Sequence, residues 1–250
     1  MKHIIAIIVV IAFAGCGFGA SAATTNSPAL VQTNPPPPWT GDIGLGLTAT
    51  TGNSDSVLFT GKFLAQRKTP LNEWDLGGDA AYGEINSVEN NETIHGYVQY
   101  NQTFNDRWYG YARADALHDG IADVTFRLTL GPGAGYYFIK EKQTTLTGEV
   151  GPGVMYEKLD DEYHTYPTLR VADNFEHKFN DRARLWEKLE FLPPLNRPDN
   201  FLINAEIGVE TAITQKISLQ IYADNDFANK PAPGREDNDV KLVSGLDYKF

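Results

Sequence analysis

Cysteine is all but missing from this chain. The single one, Cys16, lies in the N-terminal apolar stretch, so no internal disulfide can form and the fold has to be held by its own strands. Long apolar runs are missing too. Beyond residue 22 no segment nears the ~20 residues that a helix needs to cross a bilayer, which excludes a helical membrane protein. Basic residues are scarce: 21 Lys and Arg stand against 32 Asp and Glu, a net charge of -11. With no basic patch interleaved with aromatics, nucleic acid is excluded as a partner.

Catalytic signals are also lacking. No Gly-x-Ser-x-Gly elbow occurs, and His95, His118, His164 and His177 have no Ser or Cys partner close in sequence. The acid clusters Asp160, Asp161, Glu162 with His164, and Glu236, Asp237, Asp239, match no calcium-loop spacing. They are read as solvated loop tips able to touch lipopolysaccharide through bridging cations. No enzyme activity, cofactor or metal site is therefore expected.

What the chain does have is alternation. From Val240 to Phe250 one face reads Val240, Leu242, Ser244, Leu246, Tyr248, Phe250 and the other Lys241, Val243, Gly245, Asp247, Lys249. A period of two with charge on one side describes a strand between an apolar phase and water. Preceded by an export signal, it points to the last strand of an outer-membrane barrel. The export signal covers residues 1–22: Lys2, an apolar core from Ile4 to Ala14, and a cleavage site at Ala20-Ser21-Ala22. Lipidation at Cys16 is the alternative processing. Residues 23–38, with Asn34-Pro35-Pro36-Pro37-Pro38, form an extended periplasmic spacer.

Residues 39–250 read as a transmembrane antiparallel up-and-down β-barrel, all-β, of about twelve strands. Connections after even strands are short, as at Thr69-Pro70-Leu71, Asn105-Asp106, Asn180-Asp181 and Thr214-Gln215. Those after odd strands are longer and more polar, as at Ile85 to Asn91, Leu159 to Tyr163, Pro193 to Asn200 and Ala228 to Asp239. Short turns belong to the periplasmic side, so both termini are expected there. Trp74, Phe104, Trp108, Phe138, Phe179 and Phe250 cluster near the short turns as an aromatic girdle. Asp173 and Glu187 fall on outward faces, which predicts a bulge in or beside the ninth strand. The repeated Phe-Asn-Asp-Arg at residues 104–107 and 179–182 predicts primed hairpin turns. Gly131-Pro132-Gly133 and Gly151-Pro152-Gly153 place a proline inside two neighbouring strands, read as a device that shapes the wall rather than as a lateral opening.

Trp39-Thr40-Gly41-Asp42-Ile43-Gly44-Leu45-Gly46, Thr51-Gly52-Asn53-Ser54, the Gly-Pro-Gly pair and Leu246-Asp247-Tyr248-Lys249-Phe250 resemble the YdiY-like family of salt-induced outer-membrane proteins, a domain of unknown function. The resemblance implies a barrel in the outer membrane of Gram-negative bacteria with no established activity or ligand, whose last strand, through Tyr248 and Phe250, is the signal that barrel-assembly machinery reads.

Inside the barrel, counting up from the short turns brings Lys62, Asp79, Arg113, Glu149, Arg170, Lys188 and Glu206 to similar heights on inward faces. Pairing of Lys62, Arg113 and Lys188 with Asp79, Glu149 and Glu206 would seal the lumen and suit a structural or stress-related envelope component. The same charges could instead line a narrow solute or ion channel. The expected partners are outer-membrane lipids, lipopolysaccharide and the assembly machinery.

Overall fold

The computed structural model describes residues 38–50, 56–86 and 88–250. The export signal, residues 23–37 of the Pro-rich spacer and Thr51-Gly52-Asn53-Ser54 lie outside the described residues. Twelve strands follow one another: β1 Thr40–Thr50, β2 Ser56–Lys68, β3 Asn72–Ile85, β4 Val88–Thr103, β5 Trp108–Asp119 and β6 Val124–Lys140, then β7 Thr144–Leu159, β8 Glu162–Lys178, β9 Ala183–Leu192, β10 Leu202–Ala212, β11 Ile217–Ala228 and β12 Asn238–Lys249. Each pairs antiparallel with its sequence neighbours, and β12 pairs with β1 to close the barrel.

Closure leaves no edge and pairs the backbone with itself, the condition for strands to cross hydrocarbon. Alternation then decides which side chains meet which phase. Ile43, Leu45 and Leu47 of β1 point outward, as do Ile203, Ile207 and Val209 of β10 and Val240, Leu242, Leu246 and Tyr248 of β12; apart from Ile203 these are exposed. At the short-turn end, Trp74 packs on Tyr100 at 4.8 Å and Trp108 on Tyr136 at 4.8 Å. Phe104, Phe138, Phe179 and Phe250 lie exposed near them. A second aromatic group sits at the opposite end, where Phe126, Tyr156 and Tyr163 stack together and Phe201 contacts Phe191 and Phe227. Two aromatic belts with aliphatic wall between them mark a bilayer-sized band.

The turns depart from expectation in an instructive way. Asn105 and Asn180 do not take left-handed dihedrals. The Asn105 side-chain oxygen accepts from the N–H groups of Arg107 and Trp108, and Asn180 repeats this with Arg182 and Ala183. The side chain caps the turn in place of backbone geometry. Left-handed residues are found instead at Asn86, Asp123, Asp160 and Asp161. Asp160 and Asp161 in succession form the primed turn that joins β7 to β8, so that connection is a tight hairpin and not a loop. Ile85 to Asn91 shrinks likewise, because β3 and β4 run on to pair at Ile85↔Val88 across a shift at Gly83/Glu84. The long connections are residues 193–201 and 229–237.

No bulge relieves Asp173 and Glu187. β8 and β9 pair in continuous register, with Phe175↔Glu187 and Asp173↔Leu189, so both acids face outward, diagonally across the strand pair from one another. The Gly-Pro-Gly segments meet head on. β6 and β7 pair up to Leu130↔Val154 and resume at Ala134↔Val150, which sets Pro132 opposite Pro152. A Cβ on Gly131 would lie 2.4 Å from the Pro152 oxygen, and one on Gly151 would lie 2.2 Å from the Pro132 oxygen. Each carbonyl therefore turns toward a partner strand whose proline has no N–H to give it. The interior side is covered by Tyr111, Thr168 and Arg170, all buried, so the interruption is closed toward the lumen.

Candidate lumen site

Inward positions follow from register: Lys62 lies opposite Asp79, Asp79 opposite His95, and Arg113 opposite Gly131. All seven charges read from the sequence project into the barrel. They gather into three linked groups rather than one ring.

Glu206 of β10 anchors the first. Lys62 Nζ is 2.6 Å from its Oε2, Lys188 Nζ is 2.8 Å from Oε1, and the Trp186 indole N–H donates to Oε1 at 2.7 Å. β2 and β10 are separated around the wall by β1, β12 and β11. The Lys62 pair therefore spans the lumen. Beneath it Trp186, Tyr222 and Val243 form a buried apolar cluster joined by Leu58, and the Lys62 ammonium sits 4.6 Å from the Tyr222 ring centre.

Glu149 anchors the second. It accepts from Arg170 Nη1 at 2.6 Å, the Tyr109 hydroxyl at 2.7 Å and Gln99 Nε2 at 2.9 Å, while Arg170 Nε reaches Glu190 at 2.7 Å. Tyr109 lies flat across Gly135 of β6: a Cβ there would be 2.1 Å from the ring, so glycine is what lets the tyrosine reach Glu149.

In the third group Asp79 contacts His95 Nδ1 at 2.9 Å, and the other ring nitrogen lies 3.6 Å from Asp115. Arg113 grips Asp115 and covers the Tyr97 ring at 4.1 Å. It reaches Glu149 only through Gln99, whose Oε1 accepts from Arg113 Nη1 at 3.1 Å. Toward the short-turn end a further knot joins Arg184 to Glu176 and Glu210, with Lys249 also on Glu210.

Sequence reasoning missed His95, Asp115 and Glu190. Their inward parity was readable; their partnership was not, because long basic side chains lean to residues two positions along or diagonally across. Lys62 and Asp79 are register partners, yet Lys62 bonds across the lumen and Asp79 turns to His95.

Around these groups runs a narrow cavity of about 660 Å³, lined from Lys68 and Glu73 at one end to Glu236 and Asp239 at the other. At the long-loop mouth Met155, Tyr166, Leu192 and Leu202 form a buried apolar cluster. Pro194, fully buried, bridges to Thr168, and Ala232 is buried as well. The two long connections are tied down at the surface. Lys230 pairs with Asp199, and Arg235 holds Asp123 bidentately at 2.6 and 2.8 Å. The hydrogen bonds from Arg235 and Lys230 hold Asp123 and Asp199 below the usual carboxylate range.

Comparison with known proteins places this geometry. Residues 43–250 match the family model described as "Protein of unknown function, DUF481". The chain is 24% identical over 258 residues to the uncharacterized protein YdiY of Escherichia coli (strain K12), covering 100% of both. Among solved structures, the NanC porin superposes with a TM-score of 0.53 at 10% identity, covering 84% of this chain and 100% of that one. The translocator domain of the autotransporter NalP from Neisseria meningitidis gives 0.47 at 12% identity, over 88% of this chain and 91% of that one. At such identities the NanC likeness is one of fold.

Proposed function

The chain belongs to the DUF481 family of proteins of unknown function, and from that premise we propose that it is an outer-membrane β-barrel acting as a structural or stress-related component of the envelope, its lumen closed to solutes by paired charges. One observation carries this: the Lys62–Glu206 ion pair runs across the barrel between strands that are not neighbours, with Lys188 on the same carboxylate. This side-chain bridge, set against the Trp186, Tyr222 and Val243 cluster, is the feature read as closing the passage to solutes. Short turns facing the periplasm, with both termini there, complete the proposed arrangement.

Enzymatic activity has no comparable support. His95 is held between two carboxylates, and His118 Nδ1 sits 2.8 Å from the Thr125 carbonyl; neither has a nucleophile to activate. A second reading, a narrow ion channel, is favoured by the cavity's extent from end to end. Swelling of liposomes that carry the refolded protein separates the readings. No swelling in disaccharide or in small-ion osmolytes is the expected result; rapid swelling in salts alone would promote the channel.

A further inference from the structure

Charge on the outer rims is divided by end. The long-loop rim is net acidic, with Asp160, Asp161, Glu162, Glu236 and Asp237 beside the paired Lys158, Lys230 and Arg235, while the short-turn rim carries Arg67, Arg107, Lys140, Lys142, Arg182 and Lys216. None of these six basic residues is in an ion pair among the described residues. Nearly every other lysine or arginine described is paired, from Lys62 and Lys68 through Arg113, Arg127 and Arg170 to Lys241 and Lys249; Arg197 at the opposite end is the exception. Among the described residues, the unpaired basic groups other than Arg197 thus gather at one end.

That set lies at a defined depth. Lys216 reaches the Tyr248 hydroxyl at 3.3 Å, and Arg107 donates to the carbonyl of Phe138 at 3.4 Å. Lys140 donates to the Asp106 carbonyl at 2.6 Å and lies 4.4 Å from the ring of lumen-side Tyr137, so it stands at the mouth of this rim rather than on its lipid face. Arg67 sits opposite Trp74 in the β2–β3 pair, on the outward face, with a buried Nε that has no hydrogen-bond partner. The positive groups thus lie at or just beyond the aromatic belt, where lipid phosphates reside. Asp106, Glu141 and Asp181 share these turns, yet the rim keeps a positive excess.

We propose that this rim is a binding surface for anionic phospholipid headgroups, phosphatidylglycerol in type, in the leaflet at the short-turn end. The inference rests on the reading of the chain as a bilayer-spanning barrel. Guanidinium and ammonium groups left unpaired at phosphate depth supply the donors and charge that a glycerol-phosphate diester accepts. The acidic opposite rim disfavours the same lipid there.

Native mass spectrometry of the refolded barrel, released from mixed micelles holding equal phosphatidylglycerol and phosphatidylcholine, tests it. Wild type should retain phosphatidylglycerol about fivefold over phosphatidylcholine at low salt, less as salt rises. R67Q/R107Q/K140Q/K142Q/R182Q/K216Q should lose that preference, and K142Q/R182Q, whose side chains make no hydrogen bond or ion pair among the described residues, should lose part of it. K230Q/R235Q, at the other end, should keep it. Equal retention of the two lipids by wild type, unchanged preference in the sixfold variant, loss in K230Q/R235Q, or stronger retention of lipopolysaccharide by the same rim would each overturn the proposal. Heat-modifiable mobility and protease protection in pure phosphatidylcholine vesicles report separately on the barrel itself.

Discussion

Glu149 shows how much one side chain can hold. It is 5% exposed and accepts from Arg170, Tyr109 and Gln99 at once. Glu149→Ala removes the acceptor and leaves the Arg170 guanidinium with Glu190 alone, a change expected to cost about 3 kcal/mol in a urea refolding titration in lipid. A cost under about 0.5 kcal/mol would place Glu149 in the class of solvated surface pairs. The opposite sign is expected on the outer wall. Asp173 and Glu187 sit among apolar neighbours without a basic partner, so Asp173→Leu with Glu187→Leu should stabilise the inserted barrel by about 1 kcal/mol or more. A loss of stability would mean that this outward pair is matched by something other than lipid. At this scale the sequence was legible in parity and not in partnership. Each inward charge could be assigned a face by counting in twos, but which acid a lysine meets depends on shear and side-chain reach, which no single strand encodes.

Elements were more readable, and where they were not the reasons are local. Strands β1 to β12 follow directly from alternation. The hairpins at Asn86 and Asp160 escaped notice because polar, acidic residues there look like loop and are in fact turn residues tolerant of left-handed dihedrals. The β6–β7 interruption is a case where the residues named the feature and only geometry could interpret it. Gly151→Ala drives a methyl toward the Pro132 carbonyl and should cost about 1–3 kcal/mol. Pro152→Val, which restores a donor, should be neutral or stabilising. Greater loss from Pro152→Val than from Gly151→Ala would show that the proline, not the close approach, shapes this wall.

The long connections are elements of a different kind, latched by exposed ion pairs. Because Asp123 titrates below its usual 3.8 when bound to Arg235, the latch contributes above that usual value and is lost as pH falls through the lowered one. Amide protection in residues 229–237, taken relative to the intrinsic exchange rate at each pH, should thus be steady from pH 8 to about 5 and fall only in strong acid. Added salt should loosen it at neutral pH, since the groups are exposed. A loss of protection already between pH 7 and 5 would point to some group other than Asp123.

For the molecule as a whole, the two aromatic belts, the aliphatic band between them and the charged interior describe one object seated in a bilayer. Leu45→Arg, in the middle of the band, should cost about 2–4 kcal/mol of barrel stability, while Thr48→Arg on the inward face should be milder. The sequence could place this object in a membrane because the boundary between lipid and water is written into every strand. It could not say whether the lumen is shut, since closure depends on a bond between strands 144 positions apart in the chain. Single-channel recording in planar bilayers tests that closure most directly. The native protein is expected to show no resolved conductance steps, and Glu206→Ala, which sets Lys62 and Lys188 adrift, is expected to open small ones. A native channel with steady current, whose cation preference shifts with Glu149→Lys while stability stays level, would contradict the sealed barrel.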